Sequence, residues 1–410
     1  MFAHYVSNRR IVAVLIMAFS SGLPLALTGS TLQAWYTNAG VDILTIGTLS
    51  LVGIPYTFKF LWAPLLDRFI PPFLGRRRGW LIVTQLALCL SLLVLTFYNP
   101  FTQSKMMGVI ALIIAFLSAS QDIAYDAYRT DVLLPAERGL GAAALAFGYR
   151  MAMLVSGGLA LVLADHIGWK LTYQFMAGLM FLFSIATLFI PEIKNDVSVP
   201  FSFIAAIVEP FKNAWNKDRI ILILLFVVLY KIGDALALSL MSNFLLRELA
   251  FSLTQIGLTF KTVGLLATLV GAFLGGIILT RISLFQALLW FGLLQAFSNL
   301  MFMLLALVGK NEILMVSSIF IEQCCSGMST AAFVAFLMSL CDTRYTATQY
   351  ALFSALAAIG RVFLGPMAAV IVEHIGWAHF FGWTTVACFP GLIILLLLRN
   401  RVREHVEAMA

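Results

Sequence analysis

Charge is scarce in this chain. Only 11% of its 410 residues are Asp, Glu, Lys or Arg, against roughly 25% in soluble globular domains. A water-facing surface cannot be built from so few, which excludes a soluble enzyme, a disordered chain and a nucleic-acid-binding module. The net charge of +7 does not restore the last of these. The 26 basic residues fall in small groups between apolar runs and not on one face. Cysteine and histidine are scarce too. The five cysteines make no disulfide framework, and Cys89, Cys324, Cys325, Cys341 and Cys388 show no metal-ligand spacing. The histidines (His4, His166, His374, His379 and His405) sit at termini or at the ends of apolar stretches, and none begins a metal motif. No cofactor and no metal is called for.

Apolar residues fill the chain instead: 61% are hydrophobic, and the mean hydropathy is +0.98. A membrane-spanning helix needs about 20 mostly apolar residues. Twelve stretches qualify, near 11–36, 43–66, 80–97, 105–128, 141–164, 171–191, 220–246, 254–279, 284–308, 312–340, 347–372 and 378–398. Arg9 and Arg10 before the first resemble a signal-peptide start. The run is too long, however, and no small-residue cleavage site ends it, so it is expected to be a retained helix. Of the 26 basic residues, seventeen fall on the side of both termini and four on the other. The remaining five lie inside the stretches. This bias places both termini in the cytoplasm.

The chain also repeats itself. The longest polar stretch, 192–219, divides it near the middle into expected six-helix bundles over 1–191 and 220–410. Asp165-His166-Ile167-Gly168-Trp169 recurs as Glu373-His374-Ile375-Gly376-Trp377. Gly22-Leu23-Pro24-Leu25-Ala26-Leu27-Thr28 echoes Gly233-Asp234-Ala235-Leu236-Ala237-Leu238-Ser239, and Ile46-Gly47 echoes Ile256-Gly257. The offsets are nearly constant and the matches fall in equivalent stretches. Duplicated helical bundles are a transporter signature, with substrate bound at mid-depth between the halves. The fold class expected is all-α, a polytopic membrane protein of two pseudo-repeated halves. Small-residue runs at Ser156-Gly157-Gly158 and Gly271-Ala272-Phe273-Leu274-Gly275-Gly276 are expected to pack helices closely, and Gly22-Leu23-Pro24 to kink the first.

Nine charges lie at membrane depth, where each costs at least about 2.5–3.5 kcal/mol on insertion scales. They are Lys59, Arg150, Lys231, Lys261, Arg361, Asp122, Asp126, Asp234 and Glu322. Asp122 and Asp126 are one helical turn apart and share a face with Arg129. Asp122 is deeper and is expected to carry a proton, with Asp126 as a structural or gating partner. The alternative is a plain ion-pair network with Arg129 or Lys59. Glu322 is a further candidate for proton coupling. Lys231 and Asp234 can pair on one helix. Arg150 and Arg361 occupy equivalent stretches, have no acid three or four positions away, and suit a carboxylate clamp. Lys59, Arg150, Lys231, Asp234, Lys261 and Arg361 are thus candidate substrate contacts. The excess of basic over acidic groups favours an anionic substrate taken up with protons. Trp35, Tyr36, Tyr56, Trp62, Tyr125, Tyr149 and Tyr230 offer faces for sugar rings, or simply interface anchors and packing.

The loop Asp67-Arg68-Phe69-Ile70-Pro71-Pro72-Phe73-Leu74-Gly75-Arg76-Arg77-Arg78-Gly79 resembles the Asp-Arg…Gly-Arg-Arg loop of the major facilitator superfamily, stretched by several residues. That resemblance implies gating through Asp67, Arg68, Arg76, Arg77 and Arg78; otherwise the loop is a plain basic cluster on the cytoplasmic side. Several segments go further. They are Ser21-Gly22-Leu23-Pro24-Leu25-Ala26-Leu27 with Thr31-Leu32-Gln33-Ala34-Trp35, Phe58-Lys59-Phe60-Leu61-Trp62-Ala63-Pro64, Ser118-Ala119-Ser120-Gln121-Asp122-Ile123 with Asp126-Ala127 and Thr130-Asp131-Val132-Leu133, Gly148-Tyr149-Arg150, and Tyr230-Lys231-Ile232-Gly233-Asp234-Ala235. Together, over nearly the whole chain, they resemble the AmpG muropeptide permeases of Gram-negative bacteria.

The resemblance implies a proton-driven importer in the inner membrane. Its cargo would be N-acetylglucosamine–1,6-anhydro-N-acetylmuramic acid and the peptide-bearing forms, recovered in cell-wall recycling and connected with β-lactamase induction. By motif its functional charges would be Lys59, Asp122, Asp126, Arg150, Lys231, Asp234 and Arg361. The partners expected are an anionic amino-sugar peptide, protons and the lipid bilayer, with no nucleic acid and the protein a monomer. Some members continue into further C-terminal spans, whereas this sequence ends soon after Arg399-Asn400-Arg401-Val402-Arg403. Two complete six-helix halves are expected to transport without them. The competing readings are a transporter of another organic anion, such as a siderophore or acyl-CoA, a membrane enzyme acting on lipid-linked sugars, and a receptor without transport.

Overall fold

The computed structural model describes residues 9–63, 66, 71, 75–133, 138–191, 219–279, 281–340 and 346–399. These form helices and short connections, with no strand among them. Nine stretches among the described residues are long and apolar enough to cross a membrane. One of them, Ala355–Leu397, has 43 residues, or about 65 Å of helix at 1.5 Å per residue. That is about twice the ~30 Å hydrocarbon core of a bilayer. It turns at Gly376 and so contains both of the last two stretches expected from the sequence. The second expected stretch begins as a shorter apolar helix, Ile43–Phe58, and the sixth is the helix Trp169–Thr187. The chain is a multi-pass membrane protein. Accordingly, Phe97, Phe189, Phe273, Ile313 and Trp383 are among many large apolar side chains on its exposed surface.

The sequence repeat has a structural counterpart. Gly168 has φ 82° and ψ 160°, and Gly376 has φ 74° and ψ 168°. This backbone region is open essentially to glycine alone, so both positions break one helix and start the next. His166 and His374 each place Nδ1 2.8 Å from the carbonyl four residues earlier. Asp42 and Ser252 are equivalent N-caps. Asp42 accepts from Thr45 N at 2.8 Å, and Ser252 accepts from Gln255 N at 3.1 Å.

Packing gathers the chain into two units. One comprises Met1–Val41, Val52–Phe201 and Ser252–Gly257; the other comprises Asp42–Leu51, Ser202–Phe251 and Leu258–Ala410. Each is therefore discontinuous in sequence, and most of the expected central loop lies outside the described residues. The first unit centres on Met17, Leu81, Tyr125 and Tyr128. The helix Arg9–Thr28 contains Pro24, which lacks the N–H for a helical bond. The helix stops at Thr28 and resumes at Ser30. The second unit centres on Phe226, Tyr230, Phe333 and Phe353. There Gly271 packs against the Cys324 backbone, and a Cβ at Gly275 would stand 2.9 Å from Met328 Cα. Close approach of this kind takes the place of hydrophobic drive in lipid.

Candidate functional site

Among the described residues, each unit holds a cluster of membrane-depth charges. In the first, the helix Ser104–Val132 presents Asp122, Asp126 and Arg129 at helical spacing. A short 3₁₀ turn, Lys59–Leu61, brings Lys59 against them. Lys59 Nζ lies 3.9 Å from Asp122 Oδ2 and 3.7 Å from Asp126 Oδ2. Arg129 Nη2 lies 3.5 Å from Asp126 Oδ1. Ser21 Oγ donates to Asp122. The Asp122 side chain is 14% exposed and that of Asp126 50%. Around this cluster Trp62 donates to Ser120 Oγ at 3.0 Å and packs its ring 4.8 Å from Phe116. Three buried oxygens, Tyr56 OH, Ser118 Oγ and Gln121 Oε1, have no partner among the described residues.

In the second unit Lys231 Nζ stands 3.7 Å from Asp234 Oδ2. It also donates to Ser329 Oγ at 3.3 Å and Thr330 Oγ1 at 3.1 Å. Glu322 is completely buried. Its Oε1 accepts from Gln295 Nε2 at 3.2 Å and its Oε2 from Gln323 Nε2 at 2.8 Å. The same Gln295 nitrogen reaches Asp234 Oδ1 at 3.3 Å, and Ser326 Oγ donates to Asp234 Oδ2 at 3.3 Å.

Chemically, each cluster is an acid pair with a lysine beside it, joined in the first by Arg129, the arrangement in which a proton and an ion pair can exchange. Two guanidiniums stand apart. Arg150, partly buried on the helix Arg138–Met153, and Arg361, exposed on the helix Thr346–Leu397, make no hydrogen bond or ion pair among the described residues. Their five donors each meet no acceptor among the described residues and suit a ligand carboxylate.

The sequence pattern of the Major Facilitator Superfamily matches residues 14–364. The anhydromuropeptide permease of Escherichia coli (strain K12) is 51% identical over 392 residues, covering 95% of this chain and 80% of that protein. The chain belongs to the major facilitator superfamily and, within it, to the AmpG-type permeases. It is a transporter. Among solved structures, a nucleoside transporter superposes with a TM-score of 0.74 at 15% identity, covering 94% of this chain and 99% of that one. A D-xylose–proton symporter gives 0.70 at 10% identity, covering 96% and 97%. At such identities these two speak for the fold alone.

In this AmpG-type permease the residues named from sequence separate into groups. Lys59, Asp122 and Asp126 meet, as do Lys231, Asp234 and Glu322. Asp122 is not remote from basic groups, as its helix alone suggests, because Lys59 arrives from another stretch. Of the loop charges, Asp67 and Arg68 lie outside the described residues. Arg76 opens the helix Arg76–Leu95, and its side chain is likewise outside them. Arg77 Nε pairs with Asp131 Oδ2 at 2.9 Å, and Arg78 Nη2 donates to Leu188 O at 2.8 Å. Lys261 lies in the π-helical segment Gly257–Val263, and its side chain is not among those described. Sequence reasoning missed Asp131, Gln295 and Gln323 as partners of these groups. Gln295 carried a usable signal: an amide in the middle of the long apolar run Leu284–Val308 is costly in lipid unless it has polar partners.

Proposed function

We propose that this permease imports N-acetylglucosamine–1,6-anhydro-N-acetylmuramic acid and its peptides across the bacterial inner membrane, driven by protons. Its chain crosses twelve times, both termini are cytoplasmic, and it works as a monomer. The observation that carries the substrate is the extent of identity with the E. coli protein named for anhydromuropeptides. The site chemistry supports it. The cargo's carboxylates suit the bidentate forks of Arg150 and Arg361. Its sugar faces suit Trp62 and Tyr56 beside the first cluster. Asp122, Asp126 and Glu322 are the proton-coupling acids. Lys59 and Lys231 compensate their charge, and Lys261 is a further contact for the anion. The Arg77–Asp131 pair, with Asp67, Arg68, Arg76 and Arg78, serves gating.

The test is uptake of labelled anhydro-muropeptide by a permease-deficient strain carrying this gene. Uptake should exceed the empty-vector control and be competed by unlabelled anhydro-muropeptide, but not by siderophore or acyl-CoA. Competition by either of those, with no muropeptide entry, would assign a different anion.

A further inference from the structure

The two clusters differ in their charge count. In the first unit Asp122 and Asp126 face two cations, Lys59 and Arg129. In the second, Asp234 and Glu322 face Lys231 alone among the described side chains. Lys231 is committed to the Asp234 side, where its ammonium also donates to Ser329 and Thr330. Glu322 receives only neutral amide donors, from Gln295 and Gln323. The other titratable groups around the pair, among the described side chains, bring no cation. Tyr230 donates its hydroxyl hydrogen to Leu288 O, Cys388 donates to Thr384 O, and Cys325 is a free thiol.

An ionised carboxylate fully buried at membrane depth without a counter-charge is far too costly to persist, and two adjacent carboxylates cannot both ionise. The single Gln295 amide nitrogen lies 3.3 Å from Asp234 Oδ1 and 3.2 Å from Glu322 Oε1, which sets the two carboxyl groups beside one another. Gln295 supplies a second, independent sign. Its side chain is buried, its one amide nitrogen reaches both acids, and its Oε1 has no partner among the described residues. Amide nitrogen and oxygen can exchange places by a half-turn. Turned over, the amide would offer Oε1 as the acceptor that a carboxylic O–H requires.

We propose that Asp234 and Glu322 form one proton-binding site, in which a single proton is held between two carboxyl groups bridged by Gln295, and that this proton is transported with the cargo, alongside the coupling at Asp122 and Asp126. With the proton bound, Lys231, the two acids and the proton sum to zero charge. When it leaves, the site carries one net negative charge, which draws Lys231 toward both acids. The use of the proton in transport rests on the proton-driven reading above; its presence at rest does not.

The experiment is infrared difference spectroscopy, in H₂O and D₂O at neutral pH, on the purified full chain in lipid nanodiscs. The wild type should show a deuterium-sensitive C=O stretch of a protonated carboxyl group. E322Q should remove that band and D122N should retain it. K231M should enlarge it about twofold, because removing the cation leaves both acids to be protonated; a merely structural role would not do this. K261Q should leave it unchanged. If E322Q does not fold, D234N carries the same test, since Lys231 is then free to hold Glu322 ionised and the band should vanish. A wild type without the band, or a band that survives E322Q or D234N, overturns the proposal. If the band is absent while muropeptide uptake still collapses with the proton gradient, the site assignment fails and the importer reading stands. If E322Q loses the band yet keeps wild-type uphill uptake, the proton is resident but not transported, and that part of the proposal is overturned.

Discussion

Lys59 Nζ lies 3.9 Å from Asp122 Oδ2, although the two residues come from different apolar stretches. The same ammonium reaches Asp126 at 3.7 Å. One cation therefore tunes two carboxylates, and Arg129 supports only the outer one.

Replacing Lys59 by Met should leave Asp122 short of a counter-charge and lower both folded yield and uptake. Breaking a fully buried pair costs about 3–5 kcal/mol. Lys59 is 35% exposed, so the loss should fall below that range. The double variant K59M/D122N should recover thermal stability relative to K59M alone. A double variant no more stable than K59M would show that the pair is not coupled.

Arg150→Ala and Arg361→Ala should weaken cargo binding without weakening the fold, because neither guanidinium has a partner to lose among the described residues. We expect apparent affinity to fall by tenfold or more, the equivalent of about 1.4 kcal/mol. Lysine at either position should restore it only in part, since an ammonium lacks the bidentate fork. Titration of labelled muropeptide on purified protein reads this directly. Unchanged affinity in both alanine variants would remove the clamp.

Gly47 and Gly257, at equivalent places in the repeat, sit against other glycines. A Cβ at Gly47 would stand 2.8 Å from Gly365 O, and one at Gly257 would stand 2.7 Å from Gly158 O. Valine at either should cost about 1–3 kcal/mol, as overpacking does, and lower thermal stability in detergent. Alanine at Gly276, which has open space around it, should be neutral.

Asp42 lies outside the spans and caps the helix Ile43–Thr48. The backbone N–H of Thr45 holds its carboxyl below the ordinary carboxylate range. A folded-state value below the unfolded one stabilises at pH above the unfolded pKa, and that contribution is lost as pH falls through the folded value. Asp42→Ala should therefore cost about 1 kcal/mol at neutral pH, with the deficit shrinking as the medium is acidified. Melting curves of both proteins across that range check the sign.

Much of the fold was legible because lipid imposes simple rules. An all-helical, multi-pass membrane fold and a motif recurring at Asp165 and Glu373 needed only composition and offset. The membrane-depth charges were legible for the same reason, since each is costly and so stands out. Their partners were not. Apart from Lys59, which the ion-pair alternative named, Arg77 meets Asp131 and Gln295 bridges Asp234 to Glu322 only after distant stretches pack together, and helical spacing within one stretch carries no trace of that. The discontinuity of the two packing units was hidden likewise. It depends on where helix ends such as 43–48 and 253–256 come to rest, and not on their own sequence.

The central claim is that muropeptide and protons enter together, and proteoliposomes loaded with a pH-sensitive dye test it most directly. Adding anhydro-muropeptide outside, with no imposed gradient, should acidify the lumen at the rate at which labelled cargo enters, and a protonophore should abolish the pH signal. Cargo entry with no acidification in the untreated vesicles would contradict the account.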